Sequence, residues 1–149
     1  MDIARISGDA TCGHYALFSH QADIGIRGFG PSKAAAFAQG ALALTAVVTD
    51  PACVRAFAPV ALRCEAPTDV TLFVDWINTL IYEMAVRKML FARFDVVIDG
   101  DSLTATAWGE SVDRARHEPA AEPKGATYTQ ALVRCDEERN WIAQCVVDV

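Results

Sequence analysis

Four polar clusters in this chain carry side chains able to do chemistry. His20-Gln21-Ala22-Asp23 sets an imidazole beside a carboxylate, and Gly109-Glu110-Ser111-Val112-Asp113 is followed closely by Arg116-His117. Glu122-Pro123-Lys124 runs into Thr127-Tyr128, and Asp148 precedes Val149 with its α-carboxylate. Each of the first three has an ordinary explanation: an Asx-type turn, a solvated loop, a lysine balancing Glu122. The fourth is less ordinary, because strand alternation puts Asp148 on one face with Ile142, Gln144 and Val146, beside the terminal carboxylate. Crowded carboxylates stay ionised only with a cation or a basic side chain nearby. Oxygen-only donors favour a hard ion such as Ca²⁺ or Mg²⁺ over zinc, with Mn²⁺ also admissible. The spacing does not tell whether the first and fourth clusters meet.

Signatures of other chemistries are missing. There is no phosphate-binding Gly-x-x-x-x-Gly-Lys loop, no Gly-x-Gly-x-x-Gly fingerprint and no Gly-x-Ser-x-Gly elbow. Cys12, Cys53, Cys64, Cys135 and Cys145 are odd in number and lack a Cys-x-x-Cys spacing, so they read as free thiols and not as a zinc ribbon. Nineteen acids against thirteen Lys and Arg leave a net charge of −6. That balance lacks the basic footprint of a phosphate-backbone binder, and no direct high-affinity nucleic-acid binding is expected. No apolar run reaches the roughly 18 residues of a membrane span, and Met1-Asp2-Ile3-Ala4-Arg5 does not open a secretory signal. A cytoplasmic protein without a membrane partner is the expectation.

The elements that must position these clusters follow from pattern. Residues 1–13 read as a loose tail within a single domain spanning residues 1–149. Tyr15 to Phe18 and Ile24 to Phe29 read as strands about a turn, with Gly25 and Gly28 marking a bulge or a close backbone approach. Gly30-Pro31-Ser32 starts a helix whose Phe37, Ala41, Leu44 and Val48 form one stripe, stopped by Thr49-Asp50-Pro51. Val54 to Cys64 is a strand that Pro59 confines to an edge or a bulge. Thr68 or Asp69 caps a second helix with Phe73, Ile77, Leu80 and Met84 toward the core, and with Asp75 and Asn78 bonding on a more polar side. Asp99-Gly100-Asp101 joins the hairpin Phe94–Ile98 and Leu103–Trp108. A charged loop from Gly109 to Lys124 leads to a last hairpin, Ala126–Arg134 and Trp141–Val147. The order β-β-α-β-α-β-β-β-β predicts an α+β fold, a largely antiparallel sheet with two packed helices.

Taken in order, these segments resemble the archease family. The matching residues are His20-x-Ala22-Asp23-Ile24-Gly25-Ile26, Ala36-Phe37, Thr49-Asp50, Asp75-Trp76-Ile77-Asn78 and Leu80-Ile81-Tyr82. They continue with Gly109-Glu110, Asp113, Arg116-His117, Lys124-x-Ala126-Thr127-Tyr128, Trp141-x-Ala143 and Val147-Asp148-Val149. Gln21 departs from the family's usual Thr, Pro123 from an aliphatic residue, and Thr129 from a frequent His.

The resemblance implies what composition does not. Archeases activate an RtcB-type RNA ligase of tRNA splicing and RNA repair, promoting its guanylylation and repeated turnover without a reaction of their own. A divalent cation, generally calcium, would be held by Asp23, Asp148 and Val149. His20, Glu110, Asp113, His117 and Lys124 would contact the partner or serve activation. The −6 charge suits steering onto a basic RNA-binding partner. Two other classes stay open: a stand-alone metal-dependent phosphohydrolase with His20 or His117 as base, and a general protein chaperone.

Overall fold

The computed structural model describes residues 13–149, so all but Gly13 of the expected N-terminal tail, and Cys12 with it, lies outside the described residues. The described strands are β1 (His14–His20), β2 (Asp23–Gly30), β3 (Ala58–Glu65), β4 (Met89–Asp99), β5 (Ser102–Ser111), β6 (Gly125–Cys135) and β7 (Trp141–Asp148). The helices are α1 (Lys33–Val48), α2 (Asp69–Arg87) and the single turn α3 (Arg114–His117). The α+β class and the order of the main elements are those expected. The strands nevertheless divide between two antiparallel sheets, β1-β2-β7-β6 and β3-β5-β4. α1 and α2 each pack against strands of both sheets. Each sheet thereby covers one face of the helix pair, giving three layers around one core.

Local chemistry explains the boundaries. Ser32 caps α1 by accepting the Ala35 amide at 3.0 Å, an arrangement worth about 1 kcal/mol. Thr68 caps α2 in a reciprocal box with Thr71. Lys88, at φ 54°, turns the chain from α2 straight into β4, so β4 begins at Met89 and not at Phe94. β3 starts at Ala58 and not at Val54, because Asp50 caps a short 3₁₀ turn over Pro51–Cys53. Pro59 does sit on an edge strand, as its missing N–H requires.

The core joins both sheets through aromatic contacts. Trp76, fully buried, donates its indole N–H to the Phe37 carbonyl at 3.0 Å and meets Phe94 edge-on. Phe73 is also fully buried and packs edge-on against Phe37. α1 packs closely against β2 at Gly28, where a Cβ would collide with the Ala36 carbonyl and the Gly40 amide. β2 runs straight through this position without a bulge. Asn78 bonds to the next element as expected, accepting the Ala126 amide at 2.8 Å and donating to the Ala126 carbonyl at 3.3 Å. Asp75 is exposed, and among the described residues no side-chain bond to it occurs, contrary to the bonding expected. No helix among the described residues is long and apolar enough to cross a membrane.

Candidate functional site

Strand register builds the first half of the site. His20 pairs with Asp23 across the tight turn between β1 and β2, and Ile24 pairs with Val147 across β2 and β7. Continued by one residue, that register sets Asp23 opposite Asp148, and Asp148 in turn pairs with Gly125 of β6. Residues directly opposite in antiparallel strands lie about 4.5–5.5 Å apart and point to one face. Gly28 marks the helix-covered face, so His20, Asp23 and Asp148 form a row across the end of the other face. Beyond it the Val149 amide donates to Asp23 Oδ1 at 3.3 Å. The first and fourth clusters therefore meet, 126 positions apart in the chain.

Lys124 stands just before β6. Its backbone N–H donates to the Asp148 carbonyl at 2.8 Å, and its side chain is exposed. The third cluster thus joins the same end of the sheet. Asp23, Asp148 and Val149 offer a ligand oxygen, with the His20 imidazole beside them in the row. No three His, Cys, Asp or Glu side chains among the described residues gather closely enough to hold a metal by themselves. A cation at this row would need Val149 to complete its shell, and an all-oxygen set suits a hard ion.

The second cluster folds into a separate network. Asp113 caps α3, its Oδ1 accepting the amides of Ala115 at 3.1 Å and Arg116 at 3.3 Å. The turn brings Arg116 onto Glu110 as a two-pronged pair, 2.7 Å to Oε1 and 2.9 Å to Oε2. Glu110 Oε2 also accepts the Arg55 amide at 2.8 Å. His117 is wholly buried, and its Nδ1 accepts the Asp113 amide at 2.8 Å, so Nε2 bears the proton and donates to Glu110 Oε2 at 2.9 Å. The Arg116 donors, with the Arg55 amide and His117 beside them, hold the Glu110 carboxyl far below the usual carboxylate range. Arg116 is the residue that sequence reasoning passed over as a site member. The available signal was its i+3 spacing from the capping Asp113.

Both networks lie toward one end of the molecule. β2 runs about 26 Å away from the acidic row, and α1, about 24 Å long, returns along it. At the end of α1 the Thr49 hydroxyl donates to the His117 carbonyl. The Val48 carbonyl accepts the Ala120 amide at 2.8 Å, and the strap continues to Lys124 beside Asp148. His20, Asp23, Asp148, Val149 and Lys124 share one cluster, and Glu110, Asp113, Arg116 and His117 another, joined by that strap.

Among the described cysteines only Cys53 touches a cluster, through its backbone carbonyl, which accepts from Arg116 Nη1 at 2.8 Å. Burial pushes the Cys145 thiol up to about 12. Cys64 is also raised, chiefly by burial, while Cys53 and Cys135 are exposed.

A three-layer α+β domain with an oxygen-rich row at the end of one open sheet face is the class that fold and site define. Comparison with known proteins makes it specific. Residues 15–149 match the Archease protein family (MTH1598/TM1083). The "Protein archease" of Pyrococcus abyssi is 32% identical over 136 residues, 89% of this chain and 96% of that protein. The solution structure of Methanobacterium thermoautotrophicum protein 1598 superposes with a TM-score of 0.79 at 28% identity, over 91% of this chain and 98% of that one. A Thermotoga maritima crystal structure described as "an archease, possible chaperone" shares the fold at TM-score 0.55 and 17% identity, over 89% and 94%. The chain belongs to the archease family.

Proposed function

We propose that this protein is a metal-binding activator of an RtcB-type RNA ligase in tRNA splicing and RNA repair, promoting ligase guanylylation and repeated turnover. The observation that supports the reading best is the row His20–Asp23–Asp148 with Val149 bonded to Asp23, because strand register assembles it from both ends of a family member's chain. Asp23, Asp148 and the Val149 carboxylate would hold a divalent cation, calcium for preference. Bound there, it supplies concentrated positive charge that offsets their mutual repulsion.

In this reading the chain's own residues position and present. The Val149 amide orients Asp23, and the Lys124 amide fixes Asp148 through its carbonyl. The Lys124 ammonium is left free to meet a phosphate or carboxylate of the ligase. Glu110, Asp113 and His117 act by holding the strap that carries Lys124, and an accessory role without turnover of its own fits this arrangement. His117 is a poor general base, since it is buried and both ring nitrogens are engaged. Ligase guanylylation measured with this protein, without it and with Asp23→Ala tests the reading: stimulation should vanish in the variant. Equal stimulation by Asp23→Ala overturns it. Turnover of phosphoesters by the pure protein, or rescue of unrelated aggregating proteins, would replace it with the hydrolase or the chaperone.

A further inference from the structure

Behind the strap lies a groove of about 700 Å³, bounded by the ends of α1 and α2, the start of β4 and residues 119–123. Its apolar lining includes Ile81, Met84, Met89 and Val112, and Lys88 and Arg114 reach it from two different elements. Both cations are exposed, and neither makes an ion pair among the described residues. Glu122 is the one acid in the described lining. The volume falls within the roughly 300–1,000 Å³ of ligand-binding clefts.

The strap also leaves main-chain groups to spare. Pro119 and Pro123 have no N–H, and the amides of Ala121 and Glu122 donate to no backbone carbonyl among the described turn and loop bonds. Unpaired backbone beside a groove is suited to another main chain. Two methionines in the wall supply flexible, polarizable contacts that adapt to varied side chains. On a chain of net charge −6, Lys88 and Arg114 give this spot a local pair of cations that attracts anions.

We propose that this groove is a second binding site, taking a short segment of a partner protein that sets carboxylates beside bulky apolar side chains. The apolar anchors enter between Met84 and Met89, the carboxylates meet Lys88 and Arg114, and the segment's backbone bonds to the strap. The proposal stands apart from the cation row and from the ligase reading.

A random dodecapeptide display library selected against the full chain tests it. Enriched peptides should carry Asp or Glu next to Leu, Ile, Phe or Met. A selected peptide should bind Lys88→Glu/Arg114→Glu at least tenfold more weakly, and a version with its acids changed to Lys should recover affinity for that variant. In the unmutated protein the same peptide should shift the methyl resonances of Met84 and Met89. Enrichment without acidic-apolar sequences, affinity indifferent to the charge reversal, or shifts confined to other sites would overturn the proposal. So would a dimer of this chain that the same reversal abolishes, because the occupant would then be a second copy.

Discussion

Asp23 and Val149 are joined by a hydrogen bond of 3.3 Å from the Val149 amide to the Asp23 carboxylate. The bond ties the first residue of β2 to the residue just past β7. It continues the β2–β7 register, which runs to Ile24 and Val147 and puts the carboxylates of Asp23 and Asp148 on one face. The same bond uses one oxygen of Asp23 and leaves the other available.

Calcium binding should therefore depend on both ends of that bond. Calorimetric titration should show at least tenfold weaker binding for Asp23→Asn, equivalent to about 1.4 kcal/mol. Appending Gly-Ser after Val149 should weaken it similarly, because the terminal carboxylate moves away while the amide stays. If calcium binds both variants as tightly as the parent, the row is not a cation site.

The Glu110 network should be worth most at neutral pH. A carboxyl held below its ordinary range stabilises the fold above its unfolded pKa, about 4.3. That contribution drains away as pH falls below this value, by about 1.4 kcal/mol per pH unit. Glu110→Gln should cost about 2–3 kcal/mol at pH 7. The difference from the parent should stay level down to about pH 5 and shrink toward pH 3, read by urea denaturation at each pH. A gap just as wide at pH 3 would place the stabilisation elsewhere.

Phe73 anchors α2 between the sheets and is fully buried. Phe73→Ala should cost about 3–5 kcal/mol, since Gly40 and Phe37 can collapse only partly into the space. An unchanged denaturation midpoint would mean that this face of the helix does not carry the core.

Lys124 tests the separation of activity from folding. Its side chain is exposed, so Lys124→Ala should leave the urea midpoint nearly unchanged, within the 1 kcal/mol or so expected of a surface charge. Ligase guanylylation should slow by about tenfold, or 1.4 kcal/mol in the barrier. Full stimulation by the variant would leave the acidic row as the working part.

Much of the fold was legible because short-range chemistry wrote it. The stripes around Phe37 and Phe73, the Ser32 and Thr68 caps and the turn at Asp99-Gly100-Asp101 all act within a few residues. The division into two sheets was not legible, because β2 selects β7 through contacts between residues more than a hundred positions apart. Asp75 was misjudged for a related reason: a polar residue on a helix shows its periodicity but not whether a partner waits beside it. In the site, the His20, Asp23 and Asp148 residue types were readable; spacing left the meeting of Asp23 and Asp148 open, and only the family resemblance implied it. Arg116 hid among other loop charges until the turn capped by Asp113 brought it onto Glu110.

The position of β7 bears on how the protein is made. It is the last described strand to emerge during synthesis, yet it occupies the interior of its sheet, between β2 and β6. Until it arrives, the β1–β2 hairpin presents an open edge bearing Ile24 and Ile26, and β6 has no neighbour to pair with. Such nascent edges invite pairing with other chains. A ribosome-stalled product lacking residues 141–149 would expose both edges at once and would lack Asp148 and Val149, so the acidic row cannot assemble before β7 has paired.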